Sequence, residues 1–120
     1  MLLVFNKLNK DIFEMLRSGK KRIETRAATA KYKKIEVGQD VEFSCDGQRF
    51  AKMVSKITHF DSIETLLKNY TPSDINPKLK TKEEIVGMYH TFPGYKEKIE
   101  KDGIIAIEFA KEDHKVTMLK

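Results

Sequence analysis

Residues 18–26 read Ser-Gly-Lys-Lys-Arg-Ile-Glu-Thr-Arg, and Gly19, Lys21, Glu24 and Arg26 within them fill the pattern G-x-K-x-x-E-x-R. No other stretch constrains the fold as much. A helix must end before it, because Gly19 sits where a left-handed glycine closes a helix. A strand must begin inside it, because side chains on a strand repeat every two residues. That alternation puts Arg22, Glu24 and Arg26 on one face and Ile23 and Thr25 on the other. A bend followed by a strand thus brings two cations and a carboxylate to one place, and the remaining chain has to supply the scaffold.

The flanking sequence suits that task. Residues 2–8 read as a first strand. Asn9 is suited to cap a helix over 10–18, in which Ile12, Phe13 and Leu16 form an apolar stripe. After the motif strand, residues 27–34 lack a pattern and read as a loop or irregular turn. Gly38 marks a turn into a strand over 40–45. Asp46-Gly47 predicts a tight hairpin, since both residues tolerate positive φ. The return strand, over about 48–58, is long enough to bend or carry a bulge.

Asp61 to Glu64 spells a capping box for a short helix reaching residue 68. Residues 70–79, with Pro72 and Pro77, read as a loop. Thr81 and Glu84 begin a helix over 82–90, which Phe92-Pro93-Gly94 breaks. A helical turn over 95–101 leads to Gly103 and the most strand-like run of the chain, residues 104–109. Residues 110–120 are polar, and 116–119 suit an edge strand. Strands and helices in this irregular order predict an α+β fold with a mixed sheet, strongly curved or nearly closed so that few edges are exposed.

Length and composition narrow the class. The 120 residues suit one domain, with 1–110 as its body and 111–120 as a tail. No apolar run approaches the roughly 18–20 residues of a membrane span, so no membrane partner is expected. The five apolar residues at the start lack a basic leader or a cleavage site and read as a strand. A lone cysteine, Cys45, leaves no internal disulfide and fits a cytoplasmic location. His59, His90 and His114 show no metal spacing with Cys45 or with one another, so neither a metal nor another cofactor is expected. The serines lie in no nucleophile-elbow context.

The charge is local. Residues 17–34 hold eight basic side chains and one acid, Glu24, for +7, whereas the whole chain carries +5, so the remainder carries −2. A basic patch of this kind suits a phosphate-bearing ligand or is a solvated lysine face. Lys21 can meet a phosphate as a point charge or, if desolvated, act as a base. Arg26 can hold Glu24 in a fork-like pair or grip a phosphate. Gly19 lets the backbone approach a ligand closely. Alternatively, Glu24 and Arg26 form only a surface ion pair, worth about 0–1 kcal/mol. Tyr89, Phe92 and Tyr95 are candidates for stacking on a base, or they are core residues at near-helical spacing.

The octamer after a short first helix resembles the signature of the ASCH domain, a branch of the PUA-like superfamily. The likeness continues in Ile35-Glu-Val-Gly-Gln-Asp-Val-Glu-Phe, with Gln39 inserted, in the helix after His59, and in Tyr89-His-Thr-Phe-Pro-Gly-Tyr followed by Gly103-Ile-Ile-Ala-Ile. It covers about residues 3–109.

The resemblance implies a small PUA-like β-barrel with short helices at its rim and a cleft over the motif strand. It implies binding of RNA or a nucleoside- or nucleotide-like molecule through Gly19, Lys21, Glu24, Arg26 and Tyr89. Some small ASCH proteins are amidohydrolases that remove the acetyl group of N4-acetylcytidine, so an enzyme is the alternative, with Lys21 and Glu24 as catalytic residues. Those enzymes carry threonine where this chain has Glu24, and a further glutamate after the second helix, for which Asp74, Glu83 and Glu84 are candidates. A ribonuclease or a protein-interaction module are further readings.

Overall fold

The computed structural model of the chain describes residues 1–110 and 117–119. The elements run in the order β1 (Leu2–Phe5), a 3-10 turn (Lys7–Asn9), α1 (Lys10–Ser18), β2 (Ile23–Ala27), α2 (Ala30–Lys33), β3 (Asp40–Cys45), β4 (Gln48–Phe60), α3 (Ile63–Leu67), α4 (Pro72–Ile75), α5 (Lys82–Thr91), α6 (Tyr95–Asp102), β5 (Ile104–Phe109) and β6 (Thr117–Leu119). The sheet order is β1-β3-β4-β5-β2, with β6 against the start of β4. The β1–β3 pair is parallel and the others are antiparallel. The fold is α+β with a mixed, curved half-barrel, as the order of elements predicts.

β4 makes the curvature. Its first half pairs with β3 and its second half with β5, and a bulge between Val54 and Lys56 separates the two. Bulges bend and twist the strand that carries them. The bend brings the two edge strands toward each other: the Arg26 guanidinium on β2 lies 5.9 Å from the centre of the Phe5 ring on β1.

β5 reads Ile-Ile-Ala-Ile-Glu-Phe because both of its faces are covered. Ile105, Ile107 and Phe109 face the barrel interior, among Phe13, Phe43, Phe50 and Val54. Ile104 and Ala106 face the other way, onto Leu66, Ile75, Ile85, Tyr89 and Ile99 of the helices. The period of two divides one apolar run between two cores.

Several local expectations change in the structure. β1 stops at Phe5, because its partner Cys45 is the last residue of β3 before the Asp46-Gly47 turn. The chain then enters the 3-10 turn, and Asn6 caps it by accepting from the Leu8 amide at 2.9 Å. Asn9 therefore makes no side-chain cap bond at the start of α1. α3 is capped by Ser62, not Asp61, since β4 keeps pairing through Phe60 and the turn comes one residue later.

Residues 27–34 hold a short helix, in which the Thr29 carbonyl accepts from the Tyr32 and Lys33 amides. Pro72 starts a helix rather than preventing one. It stands at the first helical turn behind a Thr71–Asp74 capping box, where its missing N–H costs nothing. The hairpin turn has φ of 49° at Asp46 and 80° at Gly47, as its sequence requires. β6 pairs with Arg49 to Ala51. Val116, expected in that edge strand, lies outside the described residues, as do the other residues of 111–116 and residue 120.

Candidate ligand-binding site

α1 ends at Gly19, whose φ of 86° turns the chain, and the Lys21 amide then donates to the Met15 carbonyl at 2.9 Å. That bond ties Lys21 to the end of the helix. Its side chain enters the interior, where the residue keeps 3% of its exposure. The β2–β5 register sets the next three side chains. Glu24 stands opposite Ile107 and Arg26 opposite Ile105, on the face that closes the barrel. Thr25 stands opposite Ala106, on the face the helices cover.

The three charged groups meet. Lys21 Nζ donates to Glu24 Oε1 at 2.9 Å and also to the Ile23 carbonyl. Arg26 Nη2 lies 3.1 Å from Glu24 Oε2. Each carboxylate oxygen of Glu24 therefore faces a different cation. The Arg26 guanidinium is also held between rings, 5.9 Å from the centres of both Phe5 and Tyr32, a distance at which the ring quadrupole attracts it. On the opposite face of β2, the Thr25 and Tyr89 hydroxyls are hydrogen-bonded to each other. The alternative of a surface ion pair thus gives way to a buried triad.

Burial pushes the Glu24 carboxyl up, but the charges of Arg26 and Lys21 and the Lys21 hydrogen bond outweigh it and hold the group below its ordinary value of 4.5. Burial works against the Arg26 charge, and the Glu24 carboxylate more than restores it, so Arg26 is raised. Burial raises Tyr89 and Tyr95.

For Glu24 the sign follows from linkage. A carboxyl that titrates lower in the folded chain stabilises the fold above its unfolded value, and this contribution disappears as pH falls through the folded value. The melting temperature should therefore drop on acidification below about pH 4.5, and the drop should be shallower in Glu24→Gln. Thermal melts across that range check it; equal slopes for the two proteins exclude Glu24 as a source.

Lys21, Glu24 and Arg26 border one cavity of about 390 Å³. It lies between the two edge strands, with Val4, Phe5 and Asn6 on the β1 side. Asn9 walls it from the 3-10 turn and Ile12 from α1, Ile75 and Asn76 from α4 and the segment after it, and Met88, Tyr89, Phe92 and Tyr95 from the α5–α6 region. Tyr89 is buried and contributes to the wall. Phe92 is partly exposed and meets Tyr95 edge-on at 5.2 Å, with an interplanar angle of 85°.

Gly19 is not at this cavity. It borders a separate hollow with Ser18, Arg22, Lys52 and Phe109, and it serves the site by turning the chain. Asp74 and Glu84 are taken up in capping boxes, Glu83 is exposed, and none of the three lines the cavity. Lys31, Lys33 and Lys34 are exposed, and Lys31 lies against the Tyr32 ring at 5.3 Å. Among the described residues no three His, Cys, Asp or Glu side chains gather as a metal-ligand set. No helix among them is long and apolar enough to cross a membrane.

Sequence reasoning missed Thr25, Asn6, Asn9 and Asn76 at the cavity. For Thr25 alternation pointed away from the site, since it puts the residue on the face opposite Glu24. The asparagines carried no signal: Asn6 reads as part of the first strand, Asn9 as a cap and Asn76 as part of a loop.

No protein-family model matches the chain, and no curated protein matches it. Two solved structures are similar along nearly their whole lengths. The crystal structure of hypothetical protein PH0355 has 27% identity and a TM-score of 0.76, with 93% of this chain and 100% of that one covered. The solution NMR structure of protein PF0455 from Pyrococcus furiosus has 26% identity and a TM-score of 0.66, with 91% and 96% covered.

Proposed function

We propose that this chain is an ASCH-like, PUA-like domain of the cytoplasm, and that its cavity binds a nucleotide unit, free or within an RNA strand. The observation that carries this reading is the triad: Lys21, Glu24 and Arg26 converge on one half-open hollow with partly exposed aromatic rings beside it. The volume lies at the small end for ligand pockets, which run from about 300 to 1,000 Å³. That suits one nucleotide rather than a length of duplex. Arg26 supplies a planar donor group for phosphate, and Phe92 and Tyr95 supply faces or edges for a base.

Binding is favoured over hydrolysis by two features. The Lys21 amino group already donates to two acceptors, which leaves it poorly placed to attack a substrate. Glu24 is the sole carboxylate among the described residues that line the cavity, and both of its oxygens are engaged.

The test is a titration of mononucleotides and short single-stranded RNAs at low salt, with the wild-type chain and Arg26→Met. Methionine keeps much of the volume and leaves Lys21 and Glu24 as a neutral pair. Hydrogen bonds to charged groups contribute about 1.5–3 kcal/mol, so Arg26→Met should bind at least about tenfold more weakly. Absence of binding to the wild type, or equal binding by both, overturns the reading.

A further inference from the structure

The charges at the cavity do not cancel. Of the residues that line it, Lys21, Glu24 and Arg26 are the ionisable ones apart from two tyrosines, Tyr89 and Tyr95. Both tyrosines are pushed up by burial and stay neutral. Tyr32 presents its ring to Arg26. The Asp11–Lys78 ion pair links α1 to the segment after α4, next to the cavity wall, and sums to zero. Two cations against one carboxylate leave one positive charge in excess among these lining groups; Lys31 and Lys98, whose ammonium groups lie 5.3 Å from the Tyr32 ring and 5.8 Å from the Tyr95 ring, are exposed and screened by solvent. Lys21 has 3% and Glu24 8% of the side chain exposed, and Arg26 21%. Solvent screens charges only weakly in such surroundings, so the balance is felt by whatever binds.

Building on the nucleotide reading, we infer that the cavity takes a singly charged phosphate, the phosphodiester of a nucleotide inside a strand, in preference to the doubly charged terminal phosphate of a free nucleotide. A diester brings one negative charge and the site closes at zero. A monoester at neutral pH brings between one and a half and two, and would leave a buried negative excess beside the Glu24 carboxylate. The donors fit the same conclusion. Glu24 is the one carboxylate among the described lining residues and lies 3.1 Å from the guanidinium, so it repels each further negative charge placed there.

Among the described residues no histidine lines the cavity. Among the described residues, His59 bonds the Asp102 carbonyl at 2.8 Å, and His90 borders a different hollow with Asp61 and Ile99. A pH dependence between about 5.5 and 7.5 therefore reports the ligand, whose second phosphate ionisation lies near pH 6.

The experiment titrates the unaltered chain by calorimetry with adenosine and cytidine 5′-monophosphates, with their methyl diesters, and with benzoate and phenyl phosphate. Each is measured at about pH 5.5 and 7.5, on either side of that ionisation. The diesters should bind equally at both pH values. At the higher pH they should bind several-fold more tightly than the monophosphates, which should recover about tenfold on acidification. Monophosphates that bind as well as diesters at the higher pH, or better there than at the lower, overturn the inference and leave the nucleotide reading standing. If no nucleotide binds, the nucleotide reading falls, and the two aromatic acids judge the charge argument. Benzoate favoured over phenyl phosphate at the higher pH upholds it; the reverse order, equal binding, or no binding of either overturns it.

Discussion

Glu24→Ala is expected to lower the stability of the fold by about 3–5 kcal/mol, the range found when one partner of a buried ion pair is removed. Domains of this kind are held by roughly 5–15 kcal/mol, so the variant sits near the edge of folding. The cause is what remains behind. Lys21 Nζ would keep the Ile23 carbonyl but lose its counter-charge, and Arg26 would lose the carboxylate 3.1 Å away. Adding Lys21→Met should recover much of the loss, because the remaining cation, Arg26, reaches solvent at 21% exposure and stacks on two rings. Urea denaturation of the two single variants and the double variant measures the coupling. A cost under about 1 kcal/mol for Glu24→Ala would mean the triad behaves as an exposed pair.

Gly103→Ala should be comparably damaging for a different reason. Gly103 has φ 81° and ψ −162°, in a region that in practice only glycine occupies. A Cβ there would sit 2.4 Å from the Phe60 carbonyl oxygen and 2.8 Å from His59 Nε2. The histidine can swing aside. The Phe60 carbonyl cannot, since Phe60 pairs with Ile104 where β4 and β5 begin their ladder. Backbone strain of about 1–3 kcal/mol adds to an overpacking cost of similar size, giving about 3–5 kcal/mol. Gly87→Ala is the control. It lies inside α5 with nothing within 4 Å of a built Cβ, and should gain up to about 1 kcal/mol. Melting temperatures for the pair decide it, and a small loss for Gly103→Ala shows that the β4–β5 junction yields.

Some features of the site were legible because they depend on near neighbours in sequence. The end of α1 at Gly19, the shared face of Glu24 and Arg26, the Asp46-Gly47 turn and the Thr81 capping box all arise from contacts within a few residues. Where a local signal failed, a distant partner had overruled it. β1 was cut short by the end of β3, and the α3 cap was displaced by the pairing of Phe60 with Ile104. Pro72 is the exception: its Thr-Pro-x-Asp signal was local but was read as a break.

From residue order came the α+β class, the strand that carries the motif, and the fact that two cations and a carboxylate travel together. These follow from backbone periodicity and glycine geometry, which act over a turn or two. Residue order did not reveal that Lys21 lies inside the protein, that Thr25 meets Tyr89 across the helix layer, or that Asn9 and Asn76 share a wall with Arg26. Those pairings join residues up to 67 positions apart. Burial depends on which edges a curved sheet brings together, and it is burial that turns a modest surface ion pair into a cavity with one uncompensated charge.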